Sequence, residues 1–304
     1  PRHYAYLKIA EGCNNGCYYC AIPLIRGALR SRELNDCVAE ARWLAGEGVR
    51  ELILVAQDPT AYGEDWGKPG AICELLDRLQ EIEGIRWIRI LYAYPERISD
   101  AFIAAMVRNT KVVPYLDLPI QHCDDAVLKA MNRRGGRREI EDAIARLRAA
   151  IPGITLRTTL IAGFPGETEE QYAELCDFVK TVKFDRLGCF AYSAEENTVA
   201  AKMPNQLDEE TKQRRADHIM ELQAEVSAAR EGEKVGNTYE CICDGVDDET
   251  GMYLLRTKAD CPEIDGNVLT PADTPLETGA FYNVTITDAD TYDLYGYAEE
   301  KLED

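Results

Sequence analysis

Three cysteines lie close together near the start of the chain, at Cys13, Cys17 and Cys20, separated by three residues and then by two. Glycines and asparagines surround them and allow the positive φ angles that a tight loop around a metal centre requires. A cubane iron–sulfur cluster can bind cysteine on three irons and leave the fourth open, whereas a structural zinc site normally closes with four protein ligands. The spacing therefore predicts a 4Fe-4S cluster with one open iron, where a substrate or cofactor can bind.

A zinc knuckle is the alternative for the same three cysteines. It would have to take its fourth ligand from Cys37 or from a histidine. No second pair of cysteines or histidines follows at zinc-finger spacing, and His3 is isolated in the sequence. The sequence therefore favours the cluster.

Short apolar runs alternate with amphipathic helical runs from Tyr4 to about Tyr192. This rhythm predicts parallel strands with helical crossovers, in a sheet buried on both faces. Residues Thr168 to Gln171 form a capping box that begins one of the helices. The predicted strands are Tyr6–Ala10, Glu51–Ala56, Trp87–Tyr92, Tyr115–Ile120, Thr155–Ala162 and Arg186–Tyr192.

Polar and aromatic residues follow most of these strands. In parallel α/β folds the loops at the carboxyl ends of the strands carry the ligand sites, so we expect these residues to face one mouth. They are Gln57-Asp58, Tyr92 to Pro95, Gln121-His122, Gly163 to Glu167, and Tyr192-Ser193.

The pattern changes after Ser193. A long charged helix is predicted from Leu207 to about Lys234, and we interpret it as a solvated packing helix. Short strands separated by turn residues follow, which is typical of a small closed or half-closed β-barrel. The expected division is 1–200 for the α/β domain, 201–234 for a linking helix and 235–304 for the barrel. The predicted barrel strands are Tyr239–Cys243, Met252–Leu255, Asn267–Leu269, Phe281–Thr287 and Asp293–Tyr297.

Composition suggests the compartment. The 304 residues contain 11 scattered cysteines, which indicates free thiols in a reducing environment more than a disulfide framework. The chain has no apolar run long enough for a membrane span and no signal-peptide pattern at its start. We therefore expect a cytoplasmic protein. Because the first residue is not methionine, we also expect that an N-terminal portion precedes it.

Many short motifs along the chain occur together in one known family. With Tyr19 just before Cys20, they resemble the radical S-adenosylmethionine (SAM) methylthiotransferases, most closely the branch that modifies an aspartate of ribosomal protein uS12. Arg157-Thr158-Thr159 and Gln57-Asp58 favour this branch over the one that modifies tRNA. The other motifs are Tyr6–Cys13, Ile22-Pro23, Arg26-Gly27, Arg30–Arg32, Ala56–Asp58, Ala61–Gly63, Tyr92–Pro95, Tyr115–Asp117, Pro119–His122, Met131–Arg134 and Gly163–Thr168.

The resemblance implies a fold and two cofactors. The fold would be α/β, a partial (β/α)6 radical SAM barrel, followed by a small all-β, OB-like barrel of the TRAM type. Cys13, Cys17 and Cys20 would bind the 4Fe-4S cluster, whose free iron takes the amine and carboxylate of SAM. The family also carries an N-terminal domain with a second 4Fe-4S cluster implicated in sulfur delivery, and we expect that cluster only in such a domain.

The resemblance also implies site residues. A short basic run of this kind is usually a solvated face, but the resemblance implies that one of its arginines meets the carboxylate of SAM. The run consists of Arg133, Arg134, Arg137 and Arg138. His122 and Gln121 have a second interpretation, in which they cap a strand and satisfy backbone groups. The expected SAM contacts are Tyr19, Gly163, Phe164, Pro165, Gly166 and Glu167, and the catalytic candidates are Gln57, Asp58, Gln121, His122 and Arg157.

The expected partners follow from the resemblance and from charge. The whole chain has a net charge of −20, and most of it lies in residues 233–304, which carry 18 acidic and 4 basic side chains. The negative electrostatic field of this segment repels nucleic acid and attracts a basic protein. We therefore expect the basic protein uS12 and an electron donor as partners, without a membrane or a nucleic-acid substrate. The alternatives are a tRNA adenosine methylthiotransferase and a non-catalytic metal-binding interaction module.

Overall fold

A computed structural model describes residues 2–271 and 275–303. Pro1 and Asp304, the outer limits of the expected domains, lie outside these residues, as does the acidic Asp273. The first part of the chain forms a six-stranded parallel sheet with its strands in the order β1-β4-β5-β6-β7-β8. The strands are β1 (Tyr4–Lys8), β4 (Glu51–Val55), β5 (Trp87–Ile90), β6 (Val112–Asp117), β7 (Thr155–Ala162) and β8 (Arg186–Ala191).

Helices cover the convex face of this sheet. Leu52 and Leu54 of β4 point into the large apolar core beneath them, whereas Ile53, on the opposite face, belongs to a separate cluster. The capping box at Thr168 is present and begins α7. The helices are α1 (Ile22–Arg26), α2 (Leu34–Gly46), α3 (Ala71–Gln80), α4 (Asp100–Arg108), α5 (Asp125–Ala130), α6 (Arg137–Ala150), α7 (Glu169–Val182) and α8 (Glu209–Gly232).

All six predicted strands are present, but only β7 has the predicted bounds, and the ends of the others differ from the prediction by one to three residues. The first strand ends at Lys8, because the chain then turns into a separate ribbon in which β2 (Ala10–Glu11) pairs with β3 (Arg30–Ser31). Strand β6 runs from Val112 to Asp117 and stops before the predicted end at Ile120. Beyond Asp117 the chain still bonds to β7, but irregularly: Leu118 donates to the Arg157 carbonyl and Gln121 to that of Thr159, whereas the Ile120 N–H donates to the Thr158 hydroxyl.

The second domain is a closed five-stranded barrel in the order β10-β11-β13-β12-β9. This confirms the predicted architecture of an α/β sheet followed by a small β-barrel. All five predicted barrel strands are present, most of them longer than the sequence indicated. They are β9 (Thr238–Val246), β10 (Tyr253–Thr257), β11 (Val268–Thr270), β12 (Phe281–Ala289) and β13 (Leu294–Lys301).

The linking helix α8 is more deeply packed than the solvated helix we expected. Arg215 and Glu231, on its inner face, are at most 4% exposed and form ion pairs with the α/β domain. This packing could not be predicted from the sequence, because a buried charged residue cannot be distinguished from an exposed one until its ion-pair partner is known. No helix within the described ranges is both long and apolar enough to cross a membrane.

The β-barrel packs against the concave face of the sheet. Trp87 and Phe281 meet edge to face with ring centroids 5.0 Å apart, and the Trp87 indole N–H donates to Glu240 at 2.9 Å. Beside them the fully buried Glu51 accepts from Arg89 of the sheet and from Arg256 of the barrel, each at 2.8 Å. The barrel therefore closes the lower part of the concave face and leaves the carboxyl ends of the strands open.

Candidate functional site

The cysteine loop is closed by backbone contacts at its base. The β2–β3 ribbon brings its two ends together, and the Cys13 N–H donates to the Gly27 carbonyl at 3.1 Å. Gly12 has a φ of +80°, and a Cβ there would lie 2.1 Å from the Ala28 carbonyl oxygen. Only glycine fits this position, because the backbone of the returning segment occupies the space of a side chain.

Each cysteine sulfur has a hydrogen-bonding neighbour. The N–H groups of Asn15 and Ile22 donate to the sulfurs of Cys13 and Cys20, both at 3.4 Å. Burial raises the pKa of both thiols, and the backbone donors act in the opposite direction by stabilising the thiolates. The Cys17 sulfur lies 3.5 Å from the Tyr94 hydroxyl. The loop therefore supplies donors to sulfurs that a metal centre would keep deprotonated.

All three cysteines line one cavity of about 370 Å³ at the carboxyl ends of the strands. In residues 2–271 and 275–303, no three His, Cys, Asp or Glu side chains converge closely enough to hold a single metal ion. The three thiols lie in the wall of one cavity, which suits a cluster with each cysteine on a different iron. Cys37, the fourth ligand that a zinc knuckle would need, is buried in the core of the convex face. The other lining residues are Asn15, Tyr19, Ile22, Ala56, Gln57, Tyr92, Ala93, Tyr94, Pro119, Gln121 and Arg133.

Two polar atoms in the cavity wall are buried and have no hydrogen-bond partner: Oε1 of Gln57 and Nε of Arg133. The Arg133 side chain is held in place, because its guanidinium lies 3.8 Å from the Tyr94 ring centroid and its Nη2 donates to the Pro119 carbonyl at 2.9 Å. A buried polar group without a partner is costly. An acceptor and a charged donor left in this way indicate a polar, partly anionic ligand in the cavity.

Two lining residues have a backbone conformation that side chains other than glycine rarely adopt. Tyr92 and Gln121 have φ angles of +67° and +70°. The Tyr92 N–H donates to Asp117 at 3.3 Å, and the Gln121 backbone is held from both sides by Thr159 and Ile161. Such strain persists only where surrounding contacts enforce it, and it is concentrated at functional sites. Both residues follow strands of the sheet, as the sequence predicted.

Asp58 lies behind the cavity wall. Its buried carboxylate accepts from the side chains of Asn15 at 2.9 Å and Arg97 at 3.0 Å, and from the hydroxyl of Thr60. Arg97 also donates to the side-chain oxygen Oδ1 of Asn15 at 2.8 Å. The contacts of Asp58 therefore hold the cysteine loop through Asn15, and its catalytic role stays a prediction. Asn15 and Arg97 were not among the predicted site residues, although Asn15 lies inside the cysteine motif.

His122 is also buried away from the cavity. Its Nδ1 accepts the Asp124 N–H at 3.0 Å, so the other ring nitrogen, Nε2, carries the proton and faces Glu167 Oε2 at 3.2 Å. The second oxygen of Glu167 accepts from the Gly163 N–H at 3.0 Å and from Arg215 at 2.6 Å. These contacts tie the turn after β7 to helix α8, which agrees with the structural interpretation of His122.

The turn from Gly163 to Glu167 reaches the cysteine loop through an apolar cluster. Phe164 is fully buried in that cluster, against which Tyr18 and Tyr19 also pack. Pro165 is buried as well, whereas Gly166 is exposed. Among the expected SAM contacts, Tyr19 lines the cavity and the members of this turn do not. Their contact with SAM stays a prediction.

Arg157 lies apart from the other catalytic candidates. It is on the concave face of β7, where its Nη1 donates to Asp117 at 3.2 Å and its Nε lies 3.7 Å from Asp265 of the barrel. Asp117 also accepts the Tyr92 N–H. Arg157 is thus connected to the cavity through one carboxylate and to the barrel through another, and its catalytic role is also still a prediction.

Comparison with known proteins gives the same picture. A radical SAM superfamily profile matches residues 7–179, and a TRAM domain profile matches residues 235–298. Coproporphyrinogen III oxidase from Escherichia coli, described as a radical SAM enzyme, aligns with a TM-score of 0.57 at 19% identity. That alignment covers 75% of this chain and 54% of the oxidase, and at this identity it supports the fold alone.

Curated relatives are much more similar. The ribosomal protein uS12 methylthiotransferase RimO of Pelotomaculum thermopropionicum is 49% identical over 97% of this chain and 67% of its own length. The protein of the same name from Acetivibrio thermocellus is 47% identical over 96% of this chain and 65% of its own length. The chain thus spans about two thirds of the length of these relatives. With its cysteine triplet, parallel sheet and β-barrel, it belongs to the radical SAM superfamily and, within it, to the RimO family of methylthiotransferases.

Proposed function

We propose that this chain is the radical SAM and TRAM portion of an enzyme that places a methylthio group on the β-carbon of an aspartate in ribosomal protein uS12. The observation that carries the proposal is the cavity, where three cysteines meet a buried donor and a buried acceptor that have no partner. The names of the relatives support the same reaction. A cytoplasmic location goes with a ribosomal substrate.

In this proposal different residues of the cavity bind the cluster, SAM and the substrate. Cys13, Cys17 and Cys20 would hold three irons of a 4Fe-4S cluster, Arg133 would donate to the carboxylate of SAM, and Gln57 would accept from an N–H of its amine. When bound, the cluster supplies the electron that cleaves SAM and so generates a 5′-deoxyadenosyl radical. Tyr92 and Tyr94 form apolar walls that exclude water and position the target carbon, a contribution of several kcal/mol in comparable systems.

The charge of the β-barrel supports a protein substrate. Residues 233–304 have 18 acidic and 4 basic side chains. Ribosomal proteins are basic as a class, so this field accelerates their encounter with the enzyme. A nucleic-acid substrate would need a cationic groove with stacking aromatics, and an acidic barrel is unfavourable for one.

In this proposal the sulfur donor is not part of the described chain. The remaining cysteines of the described part of the chain are dispersed over helices, strands and loops. We therefore assign sulfur delivery to a second 4Fe-4S cluster held by a further domain of the full-length protein. An external electron donor completes the reaction. This chain alone should cleave SAM without forming a methylthiolated product.

Anaerobic reconstitution tests the site directly. The wild-type chain should bind about four iron atoms and, with reductant, convert SAM to 5′-deoxyadenosine. Cys17→Ala should abolish both. Cys73→Ala is the matched control, because Cys73 is a half-buried cysteine on α3 whose sulfur contacts the Ala101 carbonyl, and it should change neither. Unchanged iron in Cys17→Ala, or a colourless single-ion site in the wild type, would contradict the proposal.

A further inference from the structure

The three cysteines of the loop differ in the groups that lie beside their sulfurs. Cys13 and Cys20 each accept a backbone N–H at 3.4 Å. The sulfur of Cys17 lies instead 3.5 Å from the hydroxyl of Tyr94, a side chain from the segment that follows β5. A side-chain hydroxyl can be removed by a substitution that leaves the backbone unchanged, so its contribution can be measured.

Tyr94 is held in place by contacts around its backbone and its ring. Its N–H donates to the hydroxyl oxygen of Thr60 at 3.3 Å. The guanidinium groups of Arg133 and Arg97 lie 3.8 Å and 5.5 Å from the centroid of its ring. Tyr94 is also only 6% exposed. Its hydroxyl is therefore fixed beside Cys17, and little further ordering is needed when a ligand enters the cavity.

The direction of the hydrogen bond follows from the chemistry of the two groups. A cysteine sulfur that binds iron has lost its proton and can only accept. A tyrosine hydroxyl is protonated at neutral pH, so it donates. A hydrogen bond to a cluster sulfur offsets part of its negative charge, which favours the more negative, reduced state of a cluster.

The surroundings of Cys17 strengthen this effect. The cavity wall around the three thiols includes the apolar side chains of Ile22, Ala56 and Ala93. Where water is largely excluded, a hydrogen bond to a charged acceptor is stronger, because no solvent competes with the donor. The loss of one such bond is therefore large enough to measure.

We propose that Tyr94 sets the reduction potential of the cluster through the hydrogen bond from its hydroxyl to the Cys17 sulfur. This inference rests on the proposed function, because it needs a cluster at the cysteine loop. The bond stabilises the reduced cluster more than the oxidised one, so it raises the potential. In the transfer the external donor loses one electron and the cluster gains it, while Tyr94 keeps its proton and no covalent bond changes.

The test is the midpoint potential of the reconstituted chain, measured without SAM in a redox titration that is followed by electron paramagnetic resonance. Tyr94→Phe removes the hydroxyl and keeps the ring on which Arg133 lies. It should favour the oxidised cluster about tenfold relative to the wild type, which lowers a one-electron potential by about 59 mV.

Tyr115→Phe is the matched control. Tyr115 is also fully buried, and its hydroxyl donates at 2.7 Å to Asp265 of the barrel and not to a cysteine sulfur. The control variant should therefore have the potential of the wild type. An equal fall in both variants would overturn the inference, because the effect would then not depend on the bond to Cys17.

Iron content, measured on the same samples, separates the remaining outcomes. If Tyr94→Phe binds about four iron atoms and has the potential of the wild type, the inference is overturned and the proposed function is not affected. Loss of the cluster from Tyr94→Phe would also overturn it, because the hydroxyl would then be needed to form the site. If the wild type itself binds no cluster, the proposed function fails, and this inference with it.

Discussion

Gly12→Ala is the change for which the structure predicts the largest local effect on the cluster site. The added Cβ would lie 2.1 Å from the Ala28 carbonyl oxygen and 2.7 Å from that of Gly27. Gly16 is the matched control in the same loop: its φ is +69°, and its Cβ would lie 3.5 Å from the nearest atom, an ordinary contact. Both variants incur the strain of a left-handed alanine, about 1 kcal/mol.

Only Gly12→Ala has a steric cost beyond that strain. The clash is with backbone, so it is relieved only if the segments around Gly12 and Ala28 separate and the hydrogen bond from Cys13 to Gly27 breaks. Loss of that bond adds about 1 kcal/mol, and displacement of the ribbon adds more. We therefore expect a penalty of about 3 kcal/mol at the loop, against about 1 kcal/mol for Gly16→Ala.

Iron content after anaerobic reconstitution is the assay, with circular dichroism to verify that each variant is folded. Gly12→Ala should lose most of its iron while it retains the fold, because the loop lies outside the main core. Gly16→Ala should retain most of its iron. Equal iron content in the two variants would refute the argument that the close approach at Gly12 shapes the site.

Three further predictions concern the domain interface and the partner. Glu51→Gln should destabilise the protein by about 3 kcal/mol in thermal unfolding, because Arg89 and Arg256 lose a buried counterion. The control is Glu277→Gln, which removes a mostly exposed ion pair with Lys301 and should change the stability by less than about 1 kcal/mol. Burial alone would raise the pKa of Asp260, but the charges of Arg186 and Lys234 outweigh it and hold the pKa at about 2. The resulting stability, about 2 kcal/mol, is present above pH 4 and should be lost between about pH 4 and pH 2, and Asp260→Asn should flatten this part of the curve of unfolding free energy against pH. Binding of uS12 to this chain should weaken steeply with added salt, because the ions screen the attraction to the acidic barrel. If the chain binds a tRNA anticodon stem-loop more tightly than uS12 at physiological salt, the tRNA branch is favoured instead.

The parts of the site that the sequence predicted are those with strong local rules. The cysteine spacing identified the loop, and the rule that parallel strands end at one edge placed Gln57 and Gln121 in the cavity wall. The same rule could not separate Gln57 from its neighbour Asp58. Pro59 begins a short 3-10 turn at which Asp58 caps Thr60, so its carboxylate turns away from the cavity.

Long-range pairing explains what the sequence could not predict. Arg157 has two carboxylate partners. Asp117 lies on another strand, and Asp265 lies in the other domain. The buried charges of α8 have their partners far away in sequence in the same way. An ion pair between distant segments leaves no periodic pattern in the sequence, so it becomes visible only when the fold brings both groups together.

The most direct test of the proposed reaction follows one hydrogen atom. The reconstituted wild-type chain is given SAM, dithionite and a uS12 peptide whose target aspartate carries deuterium on its β-carbon. If the cavity holds this carbon beside SAM, as we propose, the 5′-deoxyadenosine formed should contain deuterium, and Cys17→Ala should form none. Unlabelled 5′-deoxyadenosine, formed while the peptide is bound, would contradict the account.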